Sequence, residues 1–174
     1  GVAGGTLHNC VVTENSADEA GGVTGAYGYY YDDYYPSELR NCIVYFNHAL
    51  SGGVNYGSAS FESSCTTPLP EGPGNIAADP QLTLDNHLLP TSPCVAAGNA
   101  AYATGRDMDG ELWANPPSMG ADQFVPGPVT GPLTMQIHSD YSQVAPGYVV
   151  LFMARNIGRL TGLVWDFRDG TLVT

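Results

Sequence analysis

An all-β fold is what the sequence predicts, and three observations predict it. Twenty-two glycines and 13 prolines among 174 residues punctuate the chain with turns. Between the turns run short β-branched stretches, and few windows carry a helical period. The third observation is a repeat. "LHNCVVTENSADEAGGV" (7–23) aligns with "LRNCIVYFNHALSGGV" (39–54), so that Leu7, Asn9, Cys10, Val12 and Asn15 each recur 32 residues later as Leu39, Asn41, Cys42, Val44 and Asn47. Gly21, Gly22 and Val23 recur 31 residues later as Gly52, Gly53 and Val54.

Each half of the repeat has the same internal logic. Cys10 and Val12 share a parity, as do Cys42 and Val44, so each pair faces one side of a strand. Leu7 and Leu39 have the opposite parity. A bend between Leu and Cys brings all three inward, and Asn9 and Asn41 stand where it must lie, asparagine tolerating the left-handed backbone better than most residues. Stacked asparagines also hydrogen-bond along a pile of strands. The repeat therefore reads as coils of a parallel β-helix, each burying its apolar face on its neighbour.

Charge narrows the function classes. Seventeen acids against five bases, all arginine, give a net charge of −12. Nucleic acid is excluded as a partner, because phosphate binding needs a basic surface, and anionic membrane surfaces are disfavoured in the same way. No apolar run approaches the ~20 residues of a membrane span. The chain opens inside a patterned segment, which reads as a mature or internal piece of a longer protein.

Four cysteines permit disulfides. Cys65 and Cys94 flank a long irregular loop, and a bond between them is expected to close it. Cys10 and Cys42 occupy equivalent coil positions and are expected to stack as buried thiols, since a bond between residues on adjacent parallel strands would be strained.

The repeat "LxNCxVxxNxA…GGV" resembles the right-handed parallel β-helix proteins of the pectate-lyase-like superfamily. The segment 63–100 is similar to the end of the bacterial choice-of-anchor Q domain, through Ser64-Cys65, Gly74-Asn75-Ile76, Asp79-Pro80, Ser92-Pro93-Cys94 and Ala97-Gly98. "TGRDMDGELWANPPSMGADQF" (104–124) continues the likeness, with Trp113 standing near the family's usual arginine. The resemblance spans roughly residues 5–124. It implies terminal β-helix coils with an irregular cap over residues 1–125.

Residues 126–132 form a Pro/Gly linker within "PGPVTGPL". Beyond it, "YVVLFMA" (148–154) reads as a strand with Val149, Leu151 and Met153 on one face. "WDFRDGT" (165–171) resembles the Trp-Asp-Phe-Gly-Asp-Gly-Thr signature of polycystic kidney disease (PKD) domains, with Arg168 in place of glycine. That likeness implies an Ig-like sandwich, with Trp165 in its core. Such sandwiches need about seven strands and ~100 residues, so residues 133–174 supply the N-terminal half. The rest is expected from further chain or from a neighbouring subunit.

Candidate sites follow. "GAYGYYYDDYYPSEL" (25–39) gathers Tyr27, Tyr29, Tyr30, Tyr31, Tyr34 and Tyr35 around Asp32 and Asp33, between two coils where insertions project from the stack. It admits three readings: a loop packed on its own coil, a protein or subunit interface, or a sugar-stacking platform. The reading taken forward is an interaction surface. "DMDGE" (107–111) offers Asp107, Asp109 and Glu111 to calcium; the competing reading is a turn closed at Asp109-Gly110. His8, His48, His87 and His138 share no ligand spacing. Fold alone does not carry catalysis, and the acids of the two coils do not repeat: Glu14 aligns with Phe46. No catalytic residue is assigned.

The sequence thus reads as part of an extracellular or cell-surface bacterial protein with a structural or adhesive role, a rigid stalk, filament or display module. Its expected partners are further copies of itself, neighbouring domains of a larger surface protein, or carbohydrate. No cofactor is required beyond the candidate calcium. The alternative is the non-catalytic end of an extracellular polysaccharide-degrading β-helix enzyme.

Overall fold

The computed structural model describes residues 1–27, 33–126, 134–139, 141–157, 163–170 and 172–173. The fold is all-β, with a single 3-10 turn at Ala100–Tyr102 among the described residues. Most of the linker, 127–132, lies outside them, as does residue 133.

The chain makes successive passes that stack in parallel. The first runs through β1 (Val2–Ala3), β2 (Gly5–His8), β3 (Val11–Thr13) and β4 (Ser16–Glu19). The second opens with β5 (Val23–Thr24), which stacks on β1, and is interrupted by a hairpin of β6 (Ala26–Tyr27) and β7 (Tyr34–Tyr35). It continues through β8 (Ser37–Arg40), β9 (Ile43–Tyr45) and β10 (His48–Ser51), and the third pass, entered at Tyr56 beside Val23, is β11 (Ala59–Glu62) and β12 (Cys65–Thr66). Parallel sheets join β2 to β8 to β11, β3 to β9 to β12, β4 to β10, and β1 to β5. Leu7, Leu39 and Phe61 stand in one row, and Val12, Val44 and Thr66 in another.

The bends fall where the repeat requires them. Asn9 and Asn41 take φ of 51° and 54°, and Ser63 takes 48° at the corresponding place in the third pass. Glu14 and Phe46, again 32 residues apart, make the next corner at 56° and 57°. Only a small share of non-glycine residues adopt this left-handed backbone, so neighbouring strands must hold it in place. Asparagine side chains help to do so. Asn41 Nδ2 donates to Asn9 Oδ1 at 3.1 Å. Around the second corner Asn15 Nδ2 donates to Asn47 Oδ1 at 3.1 Å, and Asn47 Nδ2 to Asn55 Oδ1 at 3.2 Å. Asn55 Nδ2 then reaches Thr67 O at 2.9 Å.

Alternation divides the apolar residues between two cores. Val12, Val23, Leu39, Cys42, Val44 and Phe61 fill the interior of the stack, with Leu7 and Cys10 packed against them. Ile43 and Cys65 point the other way, into a second cluster with Leu88, Cys94 and Met119. Residues 76–124 supply that outer cover, which explains why "IVY" is apolar at every position. Burying each Leu, Ile or Phe contributes ~1.5–3 kcal/mol. The cover docks through Gly120, whose N–H donates to Asn41 O at 2.8 Å. Gly120 has φ 94°, and a Cβ there would meet Ile43 Cδ1 at 2.7 Å. Gly22 serves inside the stack, where a Cβ would lie 2.3 Å from Asn55 O.

The later segment forms two antiparallel ladders. β13 (Thr134–Ser139) pairs with β14 (Phe152–Ile157) from Thr134↔Ile157 to Ser139↔Phe152, and β15 (Trp165–Asp166) pairs with β16 (Leu172–Val173). The strand expected over 148–154 therefore begins at Phe152. Its partner ends at Ser139, and the preceding chain turns instead, Tyr148 N–H donating to Ala145 O at 3.1 Å with Gly147 at φ 85°.

Candidate functional site

Three of the six clustered tyrosines are described, and all three are exposed. Tyr27 is 72%, Tyr34 39% and Tyr35 56% accessible. The β6–β7 pairing sets Tyr27 opposite Tyr34, with ring centroids 4.9 Å apart. Such a tilted pair is one of the favoured aromatic arrangements. Tyr29, Tyr30, Tyr31 and Asp32 lie outside the described residues.

The "DMDGE" segment folds as a turn. Gly110 N–H donates to Asp107 O at 3.2 Å, Asp107 N–H to Glu111 O at 3.0 Å, and Arg106 bridges Leu112. Asp107 closes it from inside: Oδ1 accepts from the Asp109 and Glu111 N–H groups at 3.0 and 2.7 Å, and Oδ2 from Gln123 N–H at 2.9 Å. The turn still gathers acids. Asp107, Asp109, Glu111 and Asp122 each bring a carboxylate oxygen within 4.8 Å of the others, and these four are the residues that could hold a calcium ion. Asp122 was not singled out from the sequence. It is 1% exposed and accepts the Leu88 N–H at 2.8 Å.

A buried histidine meets this cluster. His87 Nε2 lies 2.9 Å from Asp109 Oδ2, and Nδ1 lies 3.0 Å from Asp85 Oδ2. Burial alone pushes its pKa down, but the hydrogen bond and charge of Asp85, with Asp109 and Asp122 behind, more than offset this, and the net shift is upward. Charged His87 then ties the 82–88 bridge to the 106–112 turn and balances two carboxylates. Sequence spacing gave no hint of this clamp, since His87 and Asp109 are 22 residues apart in irregular chain.

All four cysteines are free in the structure, so the bond expected between Cys65 and Cys94 is not formed in it; both are instead buried as thiols in the outer core cluster with Ile43, Leu88 and Met119. Cys65 contacts Cys94 through a side-chain hydrogen bond, which pushes the Cys65 thiol up and draws Cys94 down. Cys42 is likewise in hydrogen-bond contact with Cys10; this bond is the main reason the Cys10 thiol is lowered to about 7, and it raises Cys42. Cys42 is buried in the stack and Cys10 is half-buried at its edge.

On the outer face of β2 and β8, Arg40 lies 5.2 Å over the Tyr102 ring, whose other neighbour is His8 at 5.5 Å. Tyr102 is anchored by its hydroxyl, which donates to Glu62 Oε2 at 2.8 Å. In the later segment Trp165 stacks on Phe167 at 6.1 Å, with Phe152 beside both. Val149, Leu151 and Met153 are 80%, 71% and 44% exposed. Leu151, Phe152, Trp165 and Phe167 line an open pocket of about 290 Å³ with Val150 and Val173. His8, His48 and His138 take no part in the acid cluster. No described helix is long and apolar enough to cross a membrane. Compared with known proteins, the chain matches no family model, no curated protein and no solved structure.

Proposed function

We propose that this chain is a structural or adhesive module of a secreted or cell-surface bacterial protein. On this reading residues 1–125 are the last coils and cap of a right-handed parallel β-helix, and residues 133–174 begin an Ig-like sandwich. One observation carries the proposal: three passes stacked in parallel, whose buried asparagines and apolar rows hold the stack, while Tyr27, Tyr34 and Tyr35 are turned outward on a hairpin beside it. Tyrosine supplies large, rigid contact area at low entropic cost. The surface is Tyr27, Tyr34 and Tyr35 together with Tyr29, Tyr30 and Tyr31, and it contacts another copy of the chain or a neighbouring domain. The exposed apolar face near Trp165 supports completion of the sandwich by further strands.

Sedimentation of the wild type against a Tyr27→Ser/Tyr34→Ser/Tyr35→Ser variant tests the surface. Weaker association with an unchanged β-sheet circular dichroism spectrum is expected. Equal association would remove the surface, and release of oligosaccharides from a polysaccharide panel would replace the structural reading with the enzymatic one. Calcium at Asp107, Asp109 and Glu111 is part of the same proposal. It requires a thermal midpoint that rises on adding calcium and stops rising in Asp109→Asn; a midpoint indifferent to calcium removes it.

A further inference from the structure

The four thiols stand in two contacting pairs, and only one pair can be reached from outside. Cys65 and Cys94 are both fully buried in the outer cluster. Cys42 is as deeply buried in the inner one, but Cys10, in the first pass, is only half-buried.

Register brings Cys10 and Cys42 together. His8 pairs with Arg40 and Val11 with Ile43, so Cys10 lies directly over Cys42. Between them Ile43 N–H donates to Cys10 O at 2.9 Å. The side chains are turned alike. Cys10 Sγ–H donates to His8 O at 3.1 Å and Cys42 Sγ–H to Arg40 O at 3.3 Å, each to the carbonyl two residues before it. Cys42 Sγ also reaches across to Leu7 O of the first pass at 3.5 Å, and the two sulfurs are in hydrogen-bond contact. Strands ~4.8 Å apart put the two Cα atoms inside the ~4.4–6.8 Å that a disulfide spans, and hold parallel Cβ atoms just beyond its usual ~3.5–4.5 Å. A bond can form there, and its strain makes it easy to reduce.

The pair shares its proton unequally. The bond from Cys42 draws the Cys10 thiol down to about 7, so much of it is thiolate near neutral pH, and the same bond keeps Cys42 protonated. A thiol whose pKa lies near the ambient pH is the best placed to attack a disulfide.

We infer that Cys10 and Cys42 form a thiol–disulfide exchange site for small-molecule disulfides. The Cys10 thiolate attacks one sulfur of the disulfide; the S–S bond breaks, one thiolate leaves, and a mixed disulfide forms on Cys10. The thiolate that held the Cys42 proton is then gone. Cys42 gives that proton to the departing thiolate, attacks Cys10 Sγ and expels the second thiol. Counting the proton Cys10 has already given to solvent, the pair loses two electrons and two protons, and the small disulfide gains them as two thiols. The new bond ties the first pass to the second beside the Asn9–Asn41 corner. The site uses neither the tyrosine hairpin nor the strands beyond residue 133, so it and the structural module stand or fall separately.

The test uses the full chain, reduced and then freed of reductant. Brief iodoacetamide treatment, read by peptide mass mapping, is expected to label Cys10 ahead of the other three cysteines. With oxidised glutathione the wild type is expected to lose two hydrogens at this pair, show a Cys10–Cys42 link in non-reducing maps and retain no glutathione. Excess reduced glutathione then reverses the link. Cys42→Ala stops the reaction at the first step and keeps one glutathione on Cys10, whereas Cys10→Ser loses the reaction. The wild-type map decides by itself if Cys42→Ala fails to fold. Cys65 or Cys94 labelled as fast as Cys10, a Cys65–Cys94 link in place of the expected one, glutathione retained by the wild type without a link, or a Cys10–Cys42 link that excess reduced glutathione leaves intact would each overturn the inference.

Discussion

Single residues in the stack carry unequal loads. Thr66 is fully buried in the row of Val12 and Val44, and its hydroxyl has no hydrogen-bond partner. A buried hydroxyl left unpaired costs ~1–3 kcal/mol. Thr66→Val keeps the shape and removes the hydroxyl, so it is expected to stabilise the chain by about 1 kcal/mol in urea titration; a lower midpoint would mean the hydroxyl has an unseen partner. His87 adds a pH dependence. Its folded pKa lies above the unfolded value of ~6.5. The stabilisation from its charged form is therefore fully present below pH ~6.5 and is lost as pH rises through the raised folded pKa. Scanning calorimetry from pH 5.5 upward should show the midpoint falling across that window in the wild type and a flatter profile in His87→Gln. Equal profiles would show that the Asp85–His87–Asp109 bridge contributes nothing.

At the scale of elements, strands of two to four residues hold only through their corners. Asn41 is the central case: buried, at φ 54°, donating to Asn9 and to Asn99 O, and accepting from Asn99 N–H at 2.7 Å. Asn41→Val strains the backbone and strands those partners, and a loss of about 3–5 kcal/mol is expected from chemical denaturation; a change below ~1 kcal/mol would deny the corner its role. This corner was legible in the sequence, because Asn9 and Asn41 sit between residues whose parity must switch. The third pass was not. It follows the second after 22 residues instead of 32, Phe61 stands in the leucine row and Ser63 at the asparagine corner, so a search at one period passes over it. The acid cluster was half legible: local spacing displayed Asp107, Asp109 and Glu111, whereas Asp122 and His87 arrive through irregular chain whose path no periodicity encodes. The outer cover was hinted at only by "IVY", apolar on both faces of its strand. Likewise the strand at 152–157 starts where its partner allows, and partner length is invisible to local pattern.

For the molecule as a whole, the unequal passes are informative. Leu7 to Leu39 takes 32 residues and Leu39 to Phe61 takes 22, yet all three stand in one row. The difference of ten residues equals the length of the hairpin segment from Ala26 to Tyr35, whose two ends pair with each other. Removing 26–35 should accordingly leave the parallel register intact and shift stability by no more than ~1 kcal/mol; a collapse of cooperative unfolding on deletion would show that the hairpin is part of the stack. The junction of Gly25 and Pro36 is in this sense a socket. The stacked passes fix where it sits, and they do not constrain the cargo. A foreign peptide with closely spaced ends, such as an epitope or a short binding loop, can be spliced there in place of the tyrosines and carried by a scaffold that folds without reference to it.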